Sequence, residues 1–153
     1  MCLIDYGISK KMEEGNLRTS TQIGTYEYVS PEFAAGGDYG LEHDWWTLGI
    51  FVLECLTGKR PFDAPAGVVP GKKKYFIFPN IMSKPFEIMG FNKVSPEGQD
   101  FIDRLLDKNC RTRMANNETT GMIKKHPWFN GIDWDKLLKS EIKAPYKLKL
   151  NGP

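Results

Sequence analysis

The chain has 153 residues, a length that fits one ordinary globular domain. Apolar residues make up 41% of it and charged residues 26%, which is typical of a water-soluble protein. The 21 basic and 19 acidic residues give a net charge of +2, which argues against nucleic acid as the main partner.

Cysteine usage and the lack of a long apolar stretch indicate a cytoplasmic protein. Cys2, Cys55 and Cys110 match no CxxC pattern, and we expect them to be reduced and mostly buried. The longest apolar stretch, residues 48–56, is too short to span a bilayer. The first residues show no signal peptide.

The first third of the chain alternates short elements with a long loop. Residues 2–4 predict a short strand that leads into Asp5. The polar, glycine-containing residues 9–23 predict a loop, and loops of this length are often functional. Residues 31–35 predict a short helix that ends at Gly36.

A central helix is predicted over about residues 44–57. It is apolar on nearly every side, so we expect it to be buried, and Gly58 is a natural stop. Prolines and glycines argue against a helix in residues 64–94. The lysine run at 72–74 predicts a solvated loop, with an acidic partner as the alternative.

The last third predicts three short helices. Ser95 and Pro96 form a good helix start, followed by an apolar stripe of Phe101, Ile102, Leu105 and Leu106. Residues 116–118 predict another helix start, and residues 134–138 one or two further turns.

Five motifs follow one another in a fixed order. They are DYG at 5–7, GTYEYVSPE at 24–32, DWWTLG at 44–49, an arginine at 113 and HPWF at 126–129. Together they resemble the C-terminal half of the catalytic domain of eukaryotic serine/threonine protein kinases. The double tryptophan resembles the AGC group, which includes the cyclic-nucleotide-dependent kinases.

The resemblance implies a mainly α fold, the C-terminal (large) lobe portion of the protein kinase-like fold with a strand remnant at the N-terminus. It implies a partial kinase domain over residues 1–129, with an activation segment at 5–32 and helices of the lobe up to residue 129. Residues 130–153 resemble the start of the AGC C-terminal tail.

The resemblance also assigns roles to residues of the activation segment. Asp5 would bind the magnesium ion that bridges the ATP phosphates, and Gly7 would let the backbone bend beside the cofactor. Thr25 would contact a catalytic aspartate that this chain does not contain. Thr21 would be the activating phosphosite, and its alternative is an ordinary polar loop rich in hydroxyl groups.

Four more residues receive roles in the same way. Glu32 and Arg113 would form a buried ion pair, whose alternative is two unrelated surface charges. Asp44 would cap the central helix and hold the catalytic loop. Glu54 would contact a basic residue of the substrate, and pairing within the chain is an equal alternative.

The kinase parts that normally lie upstream of these motifs are missing from the sequence. It has no glycine-rich phosphate loop, no small-lobe lysine, and no catalytic loop with its aspartate and asparagine. The resemblance therefore implies a partial kinase that is inactive alone and does not bind ATP and Mg²⁺ productively. The full-length protein would transfer the ATP γ-phosphoryl group to serine or threonine near basic residues, after autophosphorylation or activation by an upstream kinase. The alternative is a non-catalytic, kinase-like binding or scaffold protein.

Overall fold

The computed structural model describes residues 4–13, 15–115 and 120–146, and this part of the chain is mainly helical. Its α-helices are α1 (Pro31–Ala34), α2 (Glu42–Thr57), α3 (Lys74–Ser83), α4 (Pro96–Leu105) and α5 (Trp134–Leu138). Short 3-10 helices span Tyr26–Tyr28, Pro70–Lys72, Phe91–Lys93, Thr120–Lys125 and Pro127–Phe129. The predicted mainly α fold is confirmed. Most of the strand predicted at residues 2–4 lies outside the described residues, as does the helix start at 116–118.

The central helix α2 buries one face and leaves the other partly open. Trp46, Ile50 and Leu53 have no exposed surface, whereas Phe51 is 47% exposed. The expectation that the helix is buried all round is therefore wrong, as is the expectation of a buried thiol at Cys55, which is exposed. Sequence periodicity shows that a face is apolar, but it cannot show whether a neighbour covers it.

Helices α2 and α4 cross at a close contact made possible by a glycine. A Cβ atom on Gly49 would lie 2.8 Å from Leu106 Cδ2 and 3.0 Å from Leu105 Cβ. Helix α4 begins as predicted, because Ser95 Oγ accepts a hydrogen bond from the Gly98 N–H at 3.2 Å. Its apolar stripe is buried, with Phe101 only 1% exposed.

Helix α3 corrects the prediction that residues 64–94 contain no helix. It continues through Pro79, which lacks the N–H that a helix interior normally uses. Ile77 and Ile81 are fully buried, and the Phe78 ring packs edge-on against Phe33 with centroids 6.3 Å apart. The burial of these side chains offsets the missing hydrogen bond.

A second cluster of apolar side chains joins α4 to the residues before α5. It contains Phe101, Leu105, Met114, Ala115 and Ile123. The rings of Trp128 and Phe129 pack on Phe101 with centroids 4.9 and 5.0 Å away. None of the described helices is both long and apolar enough to cross a membrane.

Candidate functional site

Arg113 joins the end of the predicted activation segment to the helical core. Its Nη1 and Nη2 donate to the two carboxylate oxygens of Glu32 at 2.8 and 2.9 Å. Nη1 also donates to the Glu42 carbonyl oxygen at 3.1 Å, and Nε donates to the Asp107 carbonyl oxygen at 2.8 Å. The guanidinium lies 5.0 Å from the Trp46 ring centroid and has no exposed surface. The structure thus brings these two predicted partners into a bidentate buried pair.

The charge state of Glu32 depends on Arg113. Burial by itself raises the pKa of this carboxyl, but the hydrogen bonds and charge of Arg113 outweigh it. The pKa of Glu32 therefore lies below its ordinary value of 4.5. The pair is ionised at neutral pH, as a buried guanidinium requires.

Further hydrogen bonds tie the end of the segment to α2. Ser30 Oγ lies 2.8 Å from His43 Nδ1, and Thr47 Oγ1 donates to the Tyr28 carbonyl oxygen at 3.1 Å. Burial lowers the pKa of His43, although the negative charge of Asp44 opposes this. The imidazole is therefore neutral at physiological pH.

Asp44 lies inside the first turn of α2 and does not cap it. The helix begins at Glu42, and the flanking residue Leu41 makes no side-chain cap. The Gly40 N–H instead donates to Glu42 Oε1 at 3.1 Å. The predicted cap is therefore wrong, because the helix begins two residues before Asp44, and the bond of Glu42 goes to an amide outside the helix. Asp44 remains in the first turn, where the helix dipole favours a negative charge.

Glu54 is paired within the chain. Its Oε1 accepts from Arg60 Nη1 at 3.0 Å, and its Oε2 accepts from the Tyr28 hydroxyl. Asp63 holds the other side of the Arg60 guanidinium with bonds of 2.8 and 3.2 Å. The hydrogen bond to Glu54 raises the pKa of Tyr28, and the bond to Asp63 raises the pKa of Arg60. Of the two alternatives for Glu54, the structure shows internal pairing.

A second carboxylate nearby is also paired with a cation of the chain. Glu27 is 7% exposed, and its Oε1 accepts from Lys73 Nζ at 2.5 Å. Burial raises the pKa of Glu27, but the bond to Lys73 outweighs it and the pKa is lowered. The prediction that the lysine run is only a solvated loop is therefore wrong for Lys73.

Asp5 provides one carboxylate at the edge of a small cavity. Its Oδ1 accepts from the Gly7 N–H at 3.3 Å, and both residues are exposed. The cavity measures about 300 Å³ and is also lined by Lys10, His43 and Asp44. Among the described residues, no group of three or more His, Cys, Asp or Glu could hold a metal ion. The described residues therefore do not build a magnesium site alone, although Asp5 could supply one oxygen ligand.

The two threonines with predicted roles lie apart from the buried pair. The Thr21 hydroxyl lies 3.1 Å from the Thr19 hydroxyl, which also accepts from Lys10 Nζ at 3.2 Å. Thr21 is exposed and accessible to a modifying enzyme. Thr25 is exposed and precedes a short 3-10 helix, where its carbonyl oxygen accepts from the Tyr28 N–H at 3.0 Å.

Sequence reasoning missed the cations that pair with the carboxylates of Glu54 and Glu27. Arg60 and Asp63 are three positions apart, a spacing that allows an ion pair, and the left-handed turn at Gly58 directs the chain back toward Glu54. These signals were available in the sequence. Lys73 was not recognisable, because it pairs with a residue 46 positions away.

Comparison with known proteins identifies the family of the chain. The family model "Protein kinase domain" matches residues 1–129. Protein kinase 2 of Dictyostelium discoideum is 33% identical over 99% of this chain and 29% of its own length. Protein kinase C zeta type of Oryctolagus cuniculus is 33% identical over 95% of this chain and 24% of its own length. cGMP-dependent protein kinase 2 of Mus musculus is 35% identical over 99% of this chain and 19% of its own length.

The chain thus spans less than a third of the length of each of these relatives. The match to the family model covers most of the chain, and each of these relatives is named as a protein kinase. The chain belongs to the protein kinase domain family and represents part of the large lobe of an AGC-type kinase.

Proposed function

We propose that residues 1–129 form part of the catalytic domain of a serine/threonine protein kinase. The whole protein would transfer the γ-phosphoryl group of ATP to serine or threonine of protein substrates. The Glu32–Arg113 pair carries this proposal, because it fixes the end of the activation segment on the core with a fully buried guanidinium. Phosphoryl transfer depends mainly on such positioning.

Within this proposal, the residues of the chain position and hold other groups. Asp5 supplies one ligand for the magnesium ion, and Gly7 donates its N–H to that carboxylate at 3.3 Å. Bound ATP and Mg²⁺ would supply the phosphoryl group and the charge that stabilises its transfer. Thr25 lies on the segment that faces the catalytic loop, and Asp44 holds that loop from α2.

Two further roles concern regulation and substrate. Thr21 is the proposed phosphosite, in an exposed loop that already has Lys10 close to the hydroxyl cluster. A phosphate at Thr21 would gain charge-assisted hydrogen bonds and order the loop. Glu54 is the proposed substrate contact, and residues 130–153 are the proposed start of a C-terminal tail.

A chimeric kinase tests the catalytic proposal. Residues 1–153 would replace the matching segment of mouse cGMP-dependent protein kinase 2, and transfer of radiolabelled phosphate to a serine peptide would be measured. We expect transfer by the chimera and at least about a 100-fold loss with Asp5→Asn, because the metal loses a charged ligand. The isolated chain should transfer no phosphate.

Asp135→Asn is the matched control, because Asp135 is an exposed aspartate of α5 that lies outside the five motifs. It should leave the rate unchanged. A folded chimera whose transfer is indifferent to Asp5→Asn would refute the role of Asp5. A folded, inactive chimera combined with peptide binding by the chain would favour the non-catalytic binding role.

A further inference from the structure

The Glu54 carboxylate is accessible, yet both of its oxygens already have donors. Oε1 accepts from Arg60 Nη1 at 3.0 Å, and Oε2 accepts from the Tyr28 hydroxyl. The side chain remains 28% exposed, so a ligand from solution can reach it. An incoming guanidinium would have to displace Arg60 to form a bidentate pair.

Arg60 is held in place by more than Glu54. Nε and Nη2 donate to the two oxygens of Asp63 at 2.8 and 3.2 Å, so the guanidinium bridges two carboxylates. Its central carbon also lies 5.9 Å from the Tyr28 ring centroid. The left-handed Gly58, with φ of 73°, ends α2 and turns the chain so that Arg60 can reach back. The guanidinium is therefore preorganised against Glu54.

The neighbouring carboxylate is occupied in the same way. Lys73, the residue immediately before α3, binds Glu27, and its Nζ lies 2.5 Å from Glu27 Oε1. Glu27 and Glu54 thus each have a cation supplied by the chain itself. An arriving basic side chain must therefore displace Arg60 to pair with Glu54, or Lys73 to pair with Glu27.

We propose that Arg60 determines substrate specificity by occupying the Glu54 carboxylate in place of a basic side chain of the substrate. The inference rests on the proposal that Glu54 lies at the substrate-binding site. It predicts that this kinase domain does not discriminate between arginine and a neutral side chain at the peptide position that Glu54 faces. Arg60 acts through Glu54 and is a positioning residue.

The tether explains why Arg60 would win the competition. Arg60 lies six residues from Glu54, and a ligand on so short a tether has an effective concentration in the millimolar range. A peptide at micromolar concentration would compete poorly for the same carboxylate. Removal of the Arg60 side chain should therefore give the chain a preference for arginine-containing peptides that the wild-type chain lacks.

Peptide binding to the full 153-residue chain tests this inference. The probes are two fluorescent serine peptides that differ only in arginine or citrulline upstream of the serine. We expect the wild-type chain to bind both within about twofold, and Arg60→Ala to bind the arginine peptide about tenfold more tightly than the citrulline peptide. Adding Glu54→Gln to Arg60→Ala should remove that preference.

Lys59→Ala is the control, since Lys59 is the exposed basic neighbour of Arg60. It should behave like the wild-type chain. The kcat/KM ratio for the same two peptides in the chimeric kinase provides a second measurement, and NMR of the Arg60 Nε–H signal shows whether the pair exists. In the Asp63→Asn variant, faster exchange of the Arg60 Nε–H with water would support the arrangement in which Arg60 bridges Glu54 and Asp63.

Two results would overturn the inference, and they differ in what they say about Glu54. An equal arginine preference in the wild-type chain and in Arg60→Ala would show that Arg60 does not occupy the site, while the substrate role of Glu54 would stand. No preference in any variant would overturn both the inference and that role. The transfer activity of the chimera would still decide the kinase function separately.

Discussion

Arg113 and Arg104 both pair with a carboxylate, but their surroundings differ. The Arg113 side chain has no exposed surface, and its partner Glu32 is 12% exposed. The Arg104 side chain is 57% exposed, and its partner Asp100 is 48% exposed. Removal of one member of a buried pair leaves a charge without compensation, whereas an exposed pair is screened by water. The two arginines therefore provide a matched comparison at the scale of single residues.

We predict that Arg113→Met lowers the free energy of unfolding by about 3 to 5 kcal/mol, because it leaves the Glu32 carboxylate buried without a cation. Arg104→Met should cost less than about 1 kcal/mol. Urea unfolding followed by circular dichroism measures both. Equal small losses would show that the buried pair contributes little to stability.

The same pair predicts a pH dependence. Because the pKa of Glu32 is lowered in the folded state, its stabilising effect is complete above the ordinary value of 4.5 and is lost as the pH falls below it. In Arg113→Met, burial without a cation raises this pKa, so acidification relieves the penalty. The stability difference between wild type and variant should therefore shrink from pH 7 to pH 4. Urea unfolding at several pH values measures it, and a constant difference would contradict the assignment.

At the scale of helices, the crossing of α2 and α4 depends on the absence of a side chain at Gly49. Alanine would gain helix propensity at this position, but its Cβ would lie 2.8 Å from Leu106 Cδ2. Atoms this close force neighbouring side chains or the helices themselves to shift. The steric cost should outweigh the gain in propensity.

We predict that Gly49→Ala destabilises the fold by about 1 to 3 kcal/mol. Gly71→Ala is the control, because no heavy atom lies within 4 Å of the Cβ that it would add. Thermal unfolding of the two variants makes the comparison. An unchanged or raised melting temperature for Gly49→Ala would show that the two helices can adjust at no cost.

The helices also show which local signals in the sequence are reliable. The start of α4 was predictable because the Ser95 cap, Pro96 and the apolar stripe act within a few residues of one another. The helix around Pro79 was not predictable, because the burial of Ile77 and Ile81 by distant parts of the chain offsets its proline. The cap of α2 was misplaced because the helix begins at Glu42, two residues before Asp44.

At the scale of the whole molecule, the sequence predicted long-range contacts only through the resemblance to a family. The order of the motifs predicted that Glu32 pairs with Arg113, although the two residues lie 81 positions apart in the sequence. The pairing of Lys73 with Glu27 had no such guide, because no motif contains that lysine. Composition and periodicity predict which face of a helix is apolar. They do not predict which distant residue a side chain will contact, because that depends on the tertiary structure.

A short sequence patch of exposed apolar residues at 4–8 gives a prediction about association. Ile4, Tyr6 and Ile8 are 83%, 68% and 60% exposed. Clustered apolar surface favours association in water. We predict that the isolated chain self-associates at tens of micromolar, and that serine at all three positions reduces this association. Analytical ultracentrifugation measures it.

A triple serine variant at Met89, Leu138 and Tyr146 is the control for this prediction. These residues are equally exposed, at 80%, 75% and 77%, but they are dispersed along the chain. The control should associate like the wild-type chain. Equal effects of the two triple variants would show that total apolar exposure, rather than the patch, drives association.

The bond between Glu32 and Arg113 has a consequence for how the chain folds. It closes a loop of 81 residues, whose closure costs about 4 kcal/mol of chain entropy if the loop is flexible. During synthesis on the ribosome, the Glu32 carboxylate must wait for several seconds until Arg113 has emerged, at a rate of about 5 to 20 residues per second. The end of the predicted activation segment therefore cannot form its buried ion pair until Arg113 has been synthesised.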